Sequence, residues 1–176
     1  MNKFVIADPK KCIGCRTCEV ACVVAHSNGK GGANSMSEES FSPRLRVIKT
    51  ATVTTPIQCH HCDDAPCLNA CPNGAIVYSH DSVQVNQARC MGCKNCVMAC
   101  PFGAMQVVKA SAHGNDGDSR RVEAHKCDLC IERAAGPACI DACPTKSLHL
   151  VDRERVQEVL RKRQLQAALD ASGMSL

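Results

Sequence analysis

Sixteen of the 176 residues are cysteine, and they fall into four groups of four: Cys12, Cys15, Cys18 and Cys22; Cys59, Cys62, Cys67 and Cys71; Cys90, Cys93, Cys96 and Cys100; Cys127, Cys130, Cys139 and Cys143. Each group opens C-x2-C and closes C-x3-C, so only the middle gap varies, at two, four, two and eight residues. Sixteen thiolates are what four [4Fe–4S] cubanes require, with none missing and none spare. Spacing that repeats this closely argues for one chemistry used four times.

Three thiolates set two residues apart can turn inward from a short irregular loop and hold three corners of one cube. The fourth, three residues on, is expected to begin a helix and to face elsewhere. In two-cluster ferredoxins the fourth cysteine of such a run ligates the other cluster, and proline follows it. Three groups end this way, at Cys71-Pro72, Cys100-Pro101 and Cys143-Pro144, whereas the first ends Cys22-Val23. Proline suits the first turn of a helix, where its missing N–H is no loss.

Competing chemistries fit less well. Structural zinc also uses paired C-x2-C knuckles but sets them well apart. Disulfides would suit this cysteine content in a short secreted chain, yet MNKFVIADPKKC has neither an apolar run nor a twin-arginine pair. A reduced, cytoplasmic setting is therefore expected. With three Phe, one Tyr and no Trp, a conventional aromatic core is unavailable, and the inorganic cubes are expected to fill that role. The formal charge of +4 counts every cysteine as neutral; four oxidised cubanes, each about −2 with its thiolates, move the holoprotein to roughly −4. A nucleic-acid partner then loses its electrostatic footprint. No stretch approaches the length of a membrane span, so direct membrane insertion is not expected.

Short strands are predicted at 2–7, 75–78, 83–85, 105–108, 121–123 and 147–151, with hairpins turning at 79–82 and around the polar loop 113–119. The polar stretch 27–42 reads as a solvated connector. Cys90 lies nineteen positions after Cys71 with a hairpin between, as in a compact two-cluster unit, and Cys71-Pro-Asn-Gly-Ala matches Cys100-Pro-Phe-Gly-Ala. Groups two and three therefore pair, which leaves groups one and four to pair across them and brings strand 2–7 beside strand 147–151. The expected fold class is α+β: two nested ferredoxin-like dicluster units of short strands and helices, plus a C-terminal helix. The outer unit spans 1–58 and 101–152, the inner unit 59–100, and the helix 153–176. Cluster A is expected on Cys12, Cys15, Cys18 and Cys143; cluster B on Cys127, Cys130, Cys139 and Cys22; cluster C on Cys59, Cys62, Cys67 and Cys100; and cluster D on Cys90, Cys93, Cys96 and Cys71.

The runs Cys12-Ile-Gly-Cys-Arg-Thr-Cys-Glu-Val-Ala-Cys22, Cys59-His-His-Cys-Asp-Asp-Ala-Pro-Cys67, and Lys126-Cys-Asp-Leu-Cys130 with Gly136-Pro-Ala-Cys139 resemble the four-cluster iron–sulfur subunits that partner molybdopterin oxidoreductases. The resemblance covers about residues 2–152 and is nearest to the small subunits of formate hydrogenlyase and hydrogen-dependent carbon dioxide reductase. It implies the same nested pairing. It also implies single-electron relay between a molybdenum or tungsten formate dehydrogenase-type subunit and a hydrogenase or further iron–sulfur subunit. The membrane-anchor helix and twin-arginine leader of exported relatives are missing, which again points to a cytoplasmic complex.

No catalytic constellation stands out, so an electron-transfer subunit without its own active site is expected. An accessory protein for maturation of formate dehydrogenase or hydrogenase is the alternative from another class. His60 and His61 are surplus to the ligand count and are expected to be structural or to tune potentials. Arg16, Lys94 and Lys126 read as surface charges or as electrostatic tuners. Residues 152–171 read as a helix capped by Asp152, with Val156, Val159, Leu160, Ala167 and Ala171 on one side and Leu165 and Leu169 nearly opposite. Such a helix either docks on the body or serves assembly, gripping the catalytic subunit or another copy.

Overall fold

A computed structural model describes residues 1–27, 41–109 and 122–172. The loop expected at 113–119 and most of the stretch 27–42 lie outside the described residues. In chain order the elements are β1 (Phe4–Ala7), α1 (Thr17–His26), β2 (Leu45–Lys49), β3 (Thr54–Gln58), α2 (Pro66–Asn69), β4 (Ile76–Ser79), β5 (Ser82–Val85), α3 (Asn95–Ala99), β6 (Gln106–Lys109), β7 (Val122–His125), α4 (Ala138–Asp141), β8 (Leu148–Val151) and α5 (Arg153–Ser172). Apart from α5, helices and strands this short cannot persist alone. They are held by what they surround.

The strands form antiparallel pairs. β1 lies on β8, with Phe4 opposite Val151 and Ala7 opposite Leu148, so the two ends of the cysteine-bearing region meet as the sequence pattern predicts. β4 and β5 form the expected hairpin, turning through His80 and Asp81 at φ 54° and 53°. Two consecutive positive φ values are what a type I′ connection needs. β6 pairs with β7 as the second expected pair. The β2–β3 pair is an addition that sequence reading misses, because Thr54-Thr-Pro-Ile-Gln58 lacks clean alternation and contains proline. Pro56 sits opposite Val47; in a two-stranded sheet every strand is an edge, where proline's missing donor is tolerated.

One expectation is overturned. The fourth cysteine of a group ends a helix instead of beginning one. Cys18, Cys67, Cys96 and Cys139 lie inside α1 to α4, while Cys71, Cys100 and Cys143 come just after α2, α3 and α4. The following proline cannot continue a helix, and it pushes the residue before it toward extended backbone, as at Cys100 with ψ 113°. Cys22 has no proline after it, so α1 runs on through it to His26.

Two apolar cores divide the cysteines. α1 packs on α4, and Val5, Leu45, Val47, Leu129 and Leu148 surround Cys18, Cys22, Cys127, Cys139 and Cys143. α2 packs on α3, and Ala65, Ile76, Val83, Met105 and Ala124 surround Cys67 and Cys96, with Cys62, Cys71, Cys90 and Cys100 at the flank. Cys59 belongs to the second group by sequence yet packs against the first core. Met105 and Ala124 bring β6 and β7 to the second core, beside groups two and three.

Asp152 caps α5, its Oδ1 accepting the Arg155 N–H at 2.8 Å. From 153 to 171 every side chain is exposed except the half-buried Val156, so the helix does not dock on the body. Its apolar residues are split between opposite sides and form no continuous stripe to bury. Among the described residues, no helix is long and apolar enough to cross a membrane.

Candidate metal centres

Groups one and three share the form C-x-G-C-[R/K]-x-C. Gly14 and Gly92 take φ +71° and +72°, and an added Cβ would lie 2.7 Å from Thr54 Cγ2 and 2.0 Å from Val122 Cγ2 respectively. β3 and β7 therefore press directly on these two loops. Arg16 and Lys94 follow in the left-handed region, at φ 61° and 65°, and launch α1 and α3. A non-glycine residue pays for that backbone with about 1–2 kcal/mol of strain, which the packed loop has to hold. Both side chains are exposed. Of Arg16, Lys94 and Lys126, only Lys126 is buried.

Each fourth cysteine receives a backbone N–H on its sulfur. Ala75 donates to Cys71 at 3.3 Å, Ala104 to Cys100 at 3.4 Å and Ser147 to Cys143 at 3.3 Å. In each case the donor lies four residues on, in the turn that proline forces. Cys22 sits within a helix, where the N–H four residues on belongs to the helical ladder, and Arg44 donates instead, at 3.4 Å. Donation to sulfur favours the thiolate and tunes a bound cluster's potential. Burial pushes the Cys143 thiol up, but the Ser147 hydroxyl, Thr145 and the Ser147 N–H outweigh it and bring it down to about 6. At three other cysteines burial dominates: Cys18 and Cys67 are pushed up to about 11 and Cys127 to about 12. Thiolates so disfavoured need a strong local cation, which is what iron supplies.

The thiols gather in sets. After burial, the charges of Cys59 and Cys100 raise Cys62 and Cys67. Cys127, Cys22, Cys130 and, last, Cys18 act on Cys139 in the same way. Cys71 lines one concavity with Cys90, Cys93 and Cys96. Cys15 acts on Cys18, whose core also contains Cys143.

His61 tests the fit to a sulfur-rich cofactor. It is 1% exposed; its N–H donates to Cys59 Sγ at 3.4 Å, and its Nδ1 accepts the Val83 N–H at 3.1 Å. The ring proton therefore sits on Nε2, which is buried and has no hydrogen-bond partner among the described residues. A buried donor left unmade is costly, and a cluster's sulfide and thiolate sulfurs are acceptors of the right kind. His60 behaves differently, stacked between Phe4 and Phe102 at centroid distances of 5.9 and 4.1 Å.

Sequence reasoning misses an ionic network beside the fourth group. Asp128 accepts from His26 Nε2 at 3.0 Å, from Arg44, and from the Cys130 N–H at 2.9 Å. Burial alone would lower His26, but its bond to Asp128 prevails and holds the imidazolium up to about 10. His26, Asp128 and Cys130 lie close enough to suggest a cation site, but the carboxylate already carries two side-chain cations. Glu19 is also missed: it is buried and accepts the Val47 N–H at 2.6 Å, tying α1 to β2.

Twelve of the sixteen thiols lie in or against two cores and N–H groups are aimed at sulfur, which defines a multi-cluster iron–sulfur protein. The chain belongs to the 4Fe-4S dicluster domain family: models of that description match residues 50–153 and 11–76. It is 50% identical to the electron transport protein HydN of Escherichia coli (strain K12), over 96% of this chain and 99% of that protein. The putative electron transport protein YsaA of the same organism is 52% identical over 89% of this chain and 94% of its own length. Hydrogenase-4 component A, also from Escherichia coli (strain K12), is 36% identical over 96% and 91%. The protein carries four [4Fe–4S] clusters and is an iron–sulfur electron-transport protein.

Proposed function

We propose that the four clusters form one relay running A–B–C–D. The ligands are Cys12, Cys15, Cys18 and Cys143 for A; Cys127, Cys130, Cys139 and Cys22 for B; Cys59, Cys62, Cys67 and Cys100 for C; and Cys90, Cys93, Cys96 and Cys71 for D. On this reading an outer ferredoxin-like unit, holding A and B, encloses an inner one that holds C and D and takes in β6 and β7. The observation that carries the reading is exposure. Among the sixteen cysteines only Cys15 and Cys93 are exposed, and they belong to A and D, the ends of the row. Exposed apolar side chains flank both, with Ile13 at 68%, Met91 at 58% and Met98 at 86%. Such residues suit transient docking at each terminus.

One end receives electrons from a molybdenum or tungsten formate dehydrogenase-type subunit in the cytoplasm, and the other delivers them to a hydrogenase or a further iron–sulfur subunit. The name hydrogenase-4 component A, borne by a relative aligned over 96% of this chain and 91% of its own, supports a hydrogenase partner. α5 provides an additional grip, on the catalytic subunit or on a second copy. Anaerobic isolation of the full chain and of a form ending at Asp152, with co-purifying proteins identified by mass spectrometry, tests this. Stoichiometric retention of both enzymes by the full chain, weakened by the truncation, is the expected result. Transient, substoichiometric association would instead favour a maturation role.

A further inference from the structure

The two cores meet along β5, and Val83 is central to that seam. Val83 offers its N–H to His61 Nδ1 at 3.1 Å and its carbonyl to Lys126 Nζ. Lys126 Nζ also donates to the Cys127 carbonyl at 2.8 Å, and the His61 N–H donates to Cys59 Sγ. A continuous chain of polar contacts therefore runs from Cys127 through Lys126, Val83 and His61 to Cys59. It crosses from the fourth cysteine group to the second. Lys126 is only 3% exposed, and among the described residues no carboxylate pairs with it. Asp128, two residues on, is committed to His26 and Arg44. An ammonium taken this far from water without a counter-ion is strongly penalised. Two carbonyl dipoles compensate only part of that cost; the ammonium charge acts on Cys127 of the fourth group to one side and on Cys67 of the second to the other.

We propose that Lys126 is the shared counter-charge of the two middle clusters, B and C, held between them by Val83 and Cys127 and raising the potential of both. This rests on the ligand scheme given above. A fixed positive charge favours the more negative, reduced state of each neighbouring cluster, and the effect is large where water is excluded. It also screens one cluster from the other, so reducing the first opposes reduction of the second less. The basic residues beside the ligands of clusters A and D, Lys11 and Arg16 at one end and Arg89 and Lys94 at the other, are all exposed, so their effect is screened by solvent. The row thus has a middle that accepts electrons more readily than its ends.

The test uses anaerobically purified full-length holoprotein, with redox titration followed by electron paramagnetic resonance and with iron and sulfide measured on each sample. K126Q keeps donors for both carbonyls and removes the charge; K126R keeps the charge. In K126Q, two of the four clusters are expected to show at least a tenfold fall in the ratio of reduced to oxidised form at fixed ambient potential. That is a shift of 59 mV or more for a one-electron couple. The other two are expected to stay put, and K126R to resemble the wild type. Four unchanged potentials, or four equal shifts, in fully loaded K126Q would overturn the proposal. Should K126Q lose clusters that K126R retains, the charge is required for their binding and the proposal stands; loss in both variants assigns Lys126 to packing and overturns it. A wild-type count far from sixteen irons would instead sink the ligand scheme itself, and so separates the two failures.

Discussion

Asp128→Asn isolates the network that the cysteine count does not foreshadow. Asp128, His26 and Arg44 have side-chain exposures of 21%, 20% and 22%, between the surface pairs that contribute about 0–1 kcal/mol and the fully buried pairs whose rupture costs about 3–5 kcal/mol. An amide in place of the carboxylate leaves two cations facing each other with one neutral acceptor, and a loss of about 2 kcal/mol follows. Cluster-bearing proteins seldom unfold reversibly, so the appropriate measurement is a rate: bleaching of the cluster absorbance with excess chelator under strict anaerobiosis. About 2 kcal/mol corresponds to roughly thirtyfold faster bleaching if the network is fully broken at the rate-limiting step. The pH dependence supplies a second signature. The bond to Asp128 overcomes burial to hold folded His26 up to about 10, above its unfolded value of about 6.5. Its stabilisation is therefore fully present below about pH 6.5 and is lost as pH rises toward 10. Wild-type bleaching should accelerate across that interval and the D128N variant much less. Equal rates and equal pH slopes in the two proteins would refute the reasoning.

Gly92→Ala should lower the resistance of the holoprotein to thermal bleaching by about 2 kcal/mol or more, since it adds left-handed strain to a clash with Val122. Gly103→Ala, with φ +61° and nothing within 4 Å, should cost only the strain of about 1 kcal/mol; equal losses in the two would show that β7 does not press on the third loop. Removing iron with chelator and reductant should abolish the native circular dichroism, because the cluster-binding energy is then folding energy; an apoprotein that kept its strand and helix signal would contradict this.

Strand positions were legible because turns and apolar runs bracket them closely: Phe4–Ala7, Ile76–Ser79 and Leu148–Val151 fall within a residue or two of the pattern that predicts them. The pairing of β1 with β8 followed from the spacing of the cysteine groups. What proline does after cysteine was misread. Sequence supplies its φ restriction, but whether it opens or closes a helix depends on the turn preceding it. The β2–β3 pair was hidden by Pro56, a residue that discourages strands in general but not at an edge. Burial was hardest to foresee. Arg16, Lys94 and Lys126 stand in comparable positions beside cysteines, and only tertiary packing separates the exposed pair from the buried third. His26, Arg44 and Asp128 are far apart in sequence, and their meeting is a property of how α1 lies on the fourth group.

The partnership of β1 with β8 also has a consequence for how the protein is made. The first core needs Cys18 and Cys22 together with Cys127, Cys139 and Cys143, whereas every cysteine of the second core has been synthesised by Cys100. At about 5–20 residues per second, the stretch from Cys12 to Cys143 occupies a ribosome for roughly 7 to 26 s. Throughout that time the earliest thiols have emerged but have nothing to close upon. The inner cysteines therefore have their partners before the outer ones do, and the first four must be kept reduced longest of all.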